Sequence, residues 1–305
     1  MRERIAIIDL GTNTFHLLIA EKEGSKTSIV YREKQAVKIG LGGINQGIIN
    51  EPAMLRALTC LGNFKNIMDD WKVSRTLAFG TSALRSAANG GEVIEKIKQK
   101  TGITVRLISG EEEAEYIYYG VRSAMDLGNE KSLIIDIGGG SVEFIIGNKG
   151  QIFWKQSFDI GAQRLLEQFQ KHDPILPKEI LDLEACFEKS LTTLQHAFEK
   201  YSPSILVGSS GTFDTLSEIY CNRHGIKFSS DQSETPLTPE DFHLIHKEII
   251  ASNRAERLRI PGMIEMRVDM IVVASCLVNF LFKKFPLKKV RVSSYSLKEG
   301  VLSKT

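Results

Sequence analysis

One short pattern occurs twice in the chain. Asp9-Leu10-Gly11-Thr12-Asn13-Thr14 and Asp136-Ile137-Gly138-Gly139-Gly140-Ser141 begin 127 residues apart. Each copy joins an apolar run to an aspartate, an aliphatic residue, a glycine, two small or polar residues, a hydroxyl and a second apolar run. A repeat at that distance implies two similar halves, each offering one loop to a shared cleft. The length leaves room for them: 305 residues suit two domains of about 100–200 residues each.

An elbow of this kind has a definite chemistry. Glycine lets successive backbone N–H groups turn toward a ligand with no Cβ in the way, and such N–H groups form an anion-binding nest. Thr12, Thr14 and Ser141 add hydroxyl donors. The aspartate at the strand end repels phosphate but can hold a Mg²⁺ ion that phosphate also binds. A single elbow is commonly only a turn; the paired copies with one aspartate offset favour a phosphate cleft. A third small-residue turn, Gly208-Ser209-Ser210-Gly211-Thr212, follows a strand and opens a helix, where it is either an ordinary connection or a further anion site.

Alternation of strand and helix patterns indicates an α/β layered fold. Strands are expected at Arg4–Asp9, Phe15–Ala20, Lys26–Ile39, Arg75–Phe79, Thr104–Ile108, Leu133–Asp136, Gln151–Phe158, Ile205–Val207 and Val290–Ser293. Helices are expected from a cap at Asn50 to about Asp70, then at Ala83–Ala88, Glu92–Lys100, from Glu111 onward, Ala162–Gln170, Lys178–Lys200, Phe213–Tyr220, Pro239–Ala251 and Glu265–Phe285, with a short one at the end.

Ser109-Gly110-Glu111-Glu112-Glu113-Ala114 reads first as an acid-rich helix start with a favourable dipole. It lies between the two halves, where a carboxylate could orient and deprotonate a water beside a phosphoryl group. Arg85, just after a strand, is either a bidentate phosphate clamp or a solvated arginine. Arg254, Arg257, Arg259 and Arg267 cluster around Pro261-Gly262 and could meet a polyanion or simply face water. The six histidines are scattered, and His243 and His246 read as surface residues with no metal pattern around them.

Composition narrows the function classes. The 39 Lys+Arg against 37 Asp+Glu leave a net charge of +2, too balanced for a general nucleic-acid binder. The longest apolar runs, Ile5–Leu10 and Met270–Leu277, are each interrupted by a polar residue, far short of the ~18–20 residues of a membrane span. No secretory leader pattern opens the sequence. Cys60, Cys186, Cys221 and Cys276 lie far apart with no CxxC pair, so reduced thiols in a cytoplasmic protein are expected.

The motifs together resemble the exopolyphosphatase / guanosine pentaphosphate phosphatase family, a branch of the superfamily of actin-like ATPases, sugar kinases and heat-shock chaperones. The resemblance runs in order through Asp9–Thr14, Thr81–Asn89, Ile108–Ala114, Asp136–Glu143, Ile160–Leu165, Gly208–Thr212, Pro261–Asp269 and Val292–Gly300. It implies two ribonuclease-H-like domains around a central cleft, 1–124 and 125–292, with 293–305 completing the first. It implies Glu113 as catalytic base, with Glu143 beside the metal and attacking water, and a Mg²⁺ site at Asp9, Asp136 and Glu143. Phosphate binding is implied for Gly11, Thr12 and Asn13, for Gly138, Gly139, Gly140 and Ser141, for Gly208, Ser209, Gly211 and Thr212, and for Arg85. The first loop has threonines where the family more often has serines, and Gly80-Thr81-Ser82 departs slightly from the usual alanine-led form. Longer members carry extra C-terminal helical domains not found here, so weaker processivity on long chains is expected.

The expected function is exopolyphosphatase, removing the terminal phosphate of inorganic polyphosphate by Mg²⁺-assisted water attack. Alternatives are a guanosine pentaphosphate 5′-phosphohydrolase, an ATP-dependent kinase or ATPase, a catalytically idle phosphate-ligand sensor, and an actin-like polymer. Glu113, Asp136 and Glu143 together argue against an idle sensor, and a polymer would leave the acidic helix start without a task. Hinge closure is expected near residues 120–130 and 290–297. A homodimer is compatible with the sequence, but no residue pattern specifies an interface.

Overall fold

The computed structural model describes residues 3–24, 26–227 and 232–305. The first half runs β1 (Glu3–Leu10), β2 (Thr14–Glu23), β3 (Lys26–Ala36), α1 (Glu51–Asp70), β4 (Arg75–Gly80), α2 (Ser82–Ser86), α3 (Gly90–Thr101), β5 (Val105–Leu107) and α4 (Gly110–Ala124). The second runs β6 (Ser132–Ile137), β7 (Val142–Gly147), β8 (Ile152–Phe158), α5 (Ala162–Phe169), α6 (Pro177–Ser190), α7 (Thr192–Tyr201), β9 (Ile205–Ser209) and α8 (Ser210–Arg223). It continues through β10 (Glu234–Thr235), α9 (Pro239–Ala251), α10 (Arg254–Arg257), α11 (Ile271–Lys284), β11 (Lys289–Ser293) and α12 (Leu297–Leu302).

Two sheets share one topology. The first has the order β3-β2-β1-β4-β5 and the second β8-β7-β6-β9-β11, extended by β10. In both, three strands form an antiparallel meander and the next two add in parallel to the first. These are the two similar halves that the repeated elbow implies, in the ribonuclease-H-like α/β arrangement that the family resemblance implies. The central strands read as continuous apolar runs because both faces are covered: Ile5 to Ile8 and all of β6 and β7 are buried.

Between the sheets lies a shared core. Ile7, Leu18 and Phe79 of the first sheet meet Ile134, Ile145 and Val207 of the second through α4 and α12. These helices cross almost backbone to backbone. A Cβ on Gly120 would stand 2.0 Å from the Ser296 carbonyl oxygen, and one on Gly300 would stand 1.7 Å from that of Tyr116. The C-terminal segment thus places β11 in the second sheet and α12 against α4 and β1.

Several elements differ from the sequence expectation. The stretch Lys178–Lys200 is two helices, because the chain turns out of helical geometry at Leu191 and buries that side chain. Glu265–Phe285 is likewise divided: a short 3-10 turn at Glu265–Arg267 precedes α11. The strand expected to reach Ile39 stops at Ala36, and α8 begins three residues before Phe213. His246 is buried rather than on the surface, with Nδ1 3.0 Å from Ser275 Oγ. Among the arginines, Arg257 is buried with Nη1 2.7 Å from Asp173, and Arg254 pairs with Asp269. All four cysteines are free thiols, and no helix among the described residues is long and apolar enough to cross a membrane.

Candidate active site

The duplicated elbows face each other. Each connects the first and second strands of its sheet, so the two turns open at the same end of the molecule. One cavity is lined by Asp9, Gly11, Thr12, Asn13 and Thr14 from one elbow and by Asp136 and Gly138–Ser141 from the other. The loops are nearly in contact. A Cβ on Gly139 would stand 2.5 Å from Asn13 Nδ2, and one on Gly140 would stand 2.6 Å from Thr12 Oγ1 and 2.5 Å from Ser82 Oγ. Glycine at these positions is what lets the loops close on so narrow a space.

The second loop is oriented from behind by the first turn of α5. The Ala162 N–H donates to the Gly138 carbonyl at 2.9 Å, the Gln163 N–H to Gly139 at 2.8 Å, and the Gly161 N–H to Gly140 at 3.3 Å. In a planar trans peptide the C=O and the following N–H point opposite ways. Holding these three carbonyls therefore turns the N–H groups of Gly139, Gly140 and Ser141 away from α5, toward the cavity they line. Gly161 permits the approach, since a Cβ there would lie 2.4 Å from the Gly139 and Gly140 carbonyl carbons. On the first loop, the Thr12 and Asn13 carbonyls accept from the Gly40 and Lys38 N–H groups.

Glu113 reaches the cavity because of its phase on α4. Ser109 caps the helix, its side chain accepting from the Glu112 N–H at 3.1 Å. Glu113, Ala114, Ile117, Tyr118 and Val121 form one buried stripe, and Glu113 is its cavity end. Of the three consecutive glutamates, Glu111 is exposed and Glu113 is only 8% exposed. Burial, then the nearby Glu143, pushes the Glu113 carboxyl well above its ordinary pKa, while Arg85 opposes the shift. Arg85 Nη1 lies 3.0 Å from Glu113 Oε2 and also donates to the Ile108 carbonyl at 2.9 Å.

The remaining carboxylates occupy matched places. Asp9 pairs across the strands with His16, and Asp136 with Glu143, so the duplication carries a carboxylate at one partner position and an imidazole at the other. Burial holds His16 neutral, with Lys298 and Lys34 reinforcing the effect. Burial raises Asp9 to about 7, Asp136 and Glu299 adding to the shift and Lys298 opposing it. Glu143 is likewise raised to about 7 by burial and Asp136, against a 2.7 Å hydrogen bond from Ser157. Asp136 Oδ2 accepts from Ser210 and Ser296, each at 2.6 Å, and from Ser209 at 3.3 Å.

This donor set suits a hard divalent cation. It consists of carboxylate oxygens gathered in one narrow, largely buried cavity, beside the orphaned, buried acceptor Asn13 Oδ1. The described residues contain no ready-made cluster of three or more His, Cys, Asp or Glu ligands. Mg²⁺ needs none: it commonly keeps several waters and takes one or two carboxylates together with substrate oxygens.

Not every residue singled out from sequence lines the cavity. Gly208 instead backs onto Phe213, where a Cβ would stand 2.0 Å from the ring. Thr212 is buried, Ser209 donates to Asp136, and Arg85 donates to Glu113. Conversely, Thr81, Ser82, Asp214, Ser296 and Lys298 line the cavity without having been singled out as site residues; Ser210, from the third small-residue turn, and Arg267, from the basic cluster, line it too. A signal for some was present: Gly80-Thr81-Ser82, where β4 gives way to α2, resembles Gly208-Ser209-Ser210, where β9 gives way to α8. Arg267 packs its guanidinium against Gly211 and leaves its buried Nε unpaired, as Ser82 leaves its hydroxyl.

A model of the Ppx/GppA phosphatase family matches residues 18–305. The chain belongs to this family. It is 46% identical to an exopolyphosphatase from Cytophaga hutchinsonii of known crystal structure, covering 99% of this chain and 97% of that one with a TM-score of 0.96. The Aquifex aeolicus member of the Ppx/GppA family shares 26% identity over 100% of this chain and 97% of its own, with a TM-score of 0.81. A Haemophilus influenzae chain provisionally named an exopolyphosphatase is 28% identical over 98% of this chain and 90% of its own length.

Proposed function

We propose that this Ppx/GppA family member is an exopolyphosphatase that releases orthophosphate from the end of inorganic polyphosphate. The observation that carries the reading is the meeting of Glu113 with both glycine elbows in one cavity. The elbows supply backbone N–H groups and the hydroxyls of Thr12 and Ser141 for the terminal phosphoryl oxygens. Glu113, in its ionised form, orients a water for in-line attack and accepts its proton. Arg85 helps hold Glu113 ionised and in place. Asp9, Asp136 and Glu143 would hold Mg²⁺, which when bound supplies positive charge that offsets the phosphate oxygens. Arg267 and Lys298 add cationic walls to the cavity, as a chain of phosphates requires. The four free thiols suit a reducing compartment such as the cytoplasm.

The test is a substrate panel of short and long polyphosphate, guanosine pentaphosphate and ATP, each with and without Mg²⁺, following released phosphate. The reading expects Mg²⁺-dependent release that is fastest from polyphosphate. Preferential hydrolysis of guanosine pentaphosphate moves the chain to the other branch of its family. Turnover of ATP alone overturns the reading.

A further inference from the structure

Arg164, on α5, has no part in the chemistry above, yet its guanidinium joins three separate pieces of the molecule. Nε donates to the Gly140 carbonyl at 2.8 Å, on the second phosphate loop. Nη1 donates to the Ile44 carbonyl at 2.9 Å and Nη2 to Ser86 Oγ at 3.0 Å, both in the first half of the chain. The side chain is 12% exposed, and its nearest carboxylate, Asp159, stands 4.0 Å away and is largely in solvent. Its bonds therefore go mainly to neutral acceptors placed in a fixed fork, a geometry that guanidinium satisfies and ammonium does not.

Neighbouring residues of the same helix make the same crossing. Glu167 accepts from the Gly42 N–H at 3.0 Å and from Asn45 Nδ2 at 3.2 Å, and Gln168 donates to Asn45 Oδ1 at 2.9 Å. Gln163 steadies Glu167 from within the helix at 2.8 Å. The helix whose first turn aims the Gly138–Ser141 nest thus also ties the second half to the first, at the 42–45 loop and Ser86.

We infer that Arg164 is a positioning residue that couples closure of the two halves to the orientation of the second phosphate loop. When the halves are clasped, Arg164 holds the Gly140 carbonyl back and so keeps the Ser141 N–H turned toward the bound phosphate. When they part, the guanidinium loses its Ile44 and Ser86 acceptors, and its Nε bond to the Gly140 carbonyl is no longer fixed from the far side. Tight phosphate binding and closure are then one event, which makes Arg164 a determinant of affinity for a phosphate chain without touching it. The inference rests on the proposed function for the identity of the ligand, but not for the geometry.

The experiment compares wild-type protein with Arg164→Ala, Arg164→Lys and the pair Asn45→Ala/Ser86→Ala, which leaves the Gly140 contact intact. Calorimetric binding of inorganic tripolyphosphate is measured beside kcat and KM on polyphosphate and the thermal midpoint. In Arg164→Ala, tripolyphosphate binding weakens at least tenfold and KM rises in step, while kcat falls less than threefold. Arg164→Lys does not restore binding. The Asn45→Ala/Ser86→Ala pair weakens binding severalfold, and small-angle scattering of its ligand-bound form shows a larger radius of gyration than wild type. Binding within twofold of wild type in Arg164→Ala, or full rescue by Arg164→Lys, overturns the inference. Should Arg164→Ala not fold, unchanged binding in the Asn45→Ala/Ser86→Ala pair overturns it and weakened binding supports it. A wild-type protein that binds tripolyphosphate but releases no phosphate rejects the proposed function and leaves the binding comparison intact.

Discussion

At the residue scale, environment decides which of several equivalent side chains acts. Glu111, Glu112 and Glu113 are indistinguishable as a run, and helix phase alone buries the third. Its raised pKa means the base is protonated at low pH, so activity should climb as pH rises through the Glu113 titration. Because Arg85 lowers that pKa, Arg85→Gln should move the rising limb of the kcat/KM profile of the free enzyme to higher pH. An unmoved limb would separate the two residues. His246 gives a stability prediction of its own. Burial, with His243 and Lys283, lowers its pKa from 6.5 to about 4. The unfolded chain therefore takes up a proton that the folded one resists: stability is intact above about pH 6.5 and declines toward pH 4. At about 1.4 kcal/mol per unit the loss is of order 3 kcal/mol. In urea titrations, His246→Asn should lose less stability than wild type between pH 7.5 and pH 5, narrowing the loss without abolishing it because His16 acts in the same direction.

At the element scale, the tightest constraint is the crossing of α4 with α12. Each helix presents a glycine to the other's backbone, so Gly120→Ala or Gly300→Ala cannot be absorbed by a rotamer change. Overpacking of this kind costs about 1–3 kcal/mol, which denaturant unfolding would register as a lowered midpoint; a midpoint equal to wild type would mean that the helices slide apart freely. Most elements were legible in the sequence, for recognisable reasons. Asn50 with Pro52, Ser109 with its acidic turn, and Gly102 in the left-handed conformation are local signals that survive in the structure. The missed boundaries lack such signals. Leu191 breaks a helix by burying its side chain, and the turn before α11, Glu265 to Met270, holds no glycine or proline that would mark it off from a helix. Both are decisions of tertiary packing, not of local propensity.

At the scale of the whole molecule, the duplicated aspartate and glycine pattern made the two facing loops legible, because topology carries equivalent turns to equivalent places. What escaped the sequence are single residues brought in from elsewhere: Asp214 on α8 and Lys298 in the first turn of α12. Neither sits in a repeat, and each is recognisable only once the sheets are paired. With two sheets around one cavity and a clasp at α5, polyphosphate should draw the halves together; small-angle scattering should show a smaller radius of gyration with ligand than without, and identical curves would argue for a rigid cleft. The central claim is that this cavity hydrolyses phosphoanhydrides by means of Glu113. The most direct measurement is phosphate release from polyphosphate by wild type and Glu113→Gln, with polyphosphate binding measured on both. The account predicts turnover slowed by at least ~100-fold, the usual scale of a lost general base, with binding nearly unchanged. Equal turnover in the two proteins would contradict it.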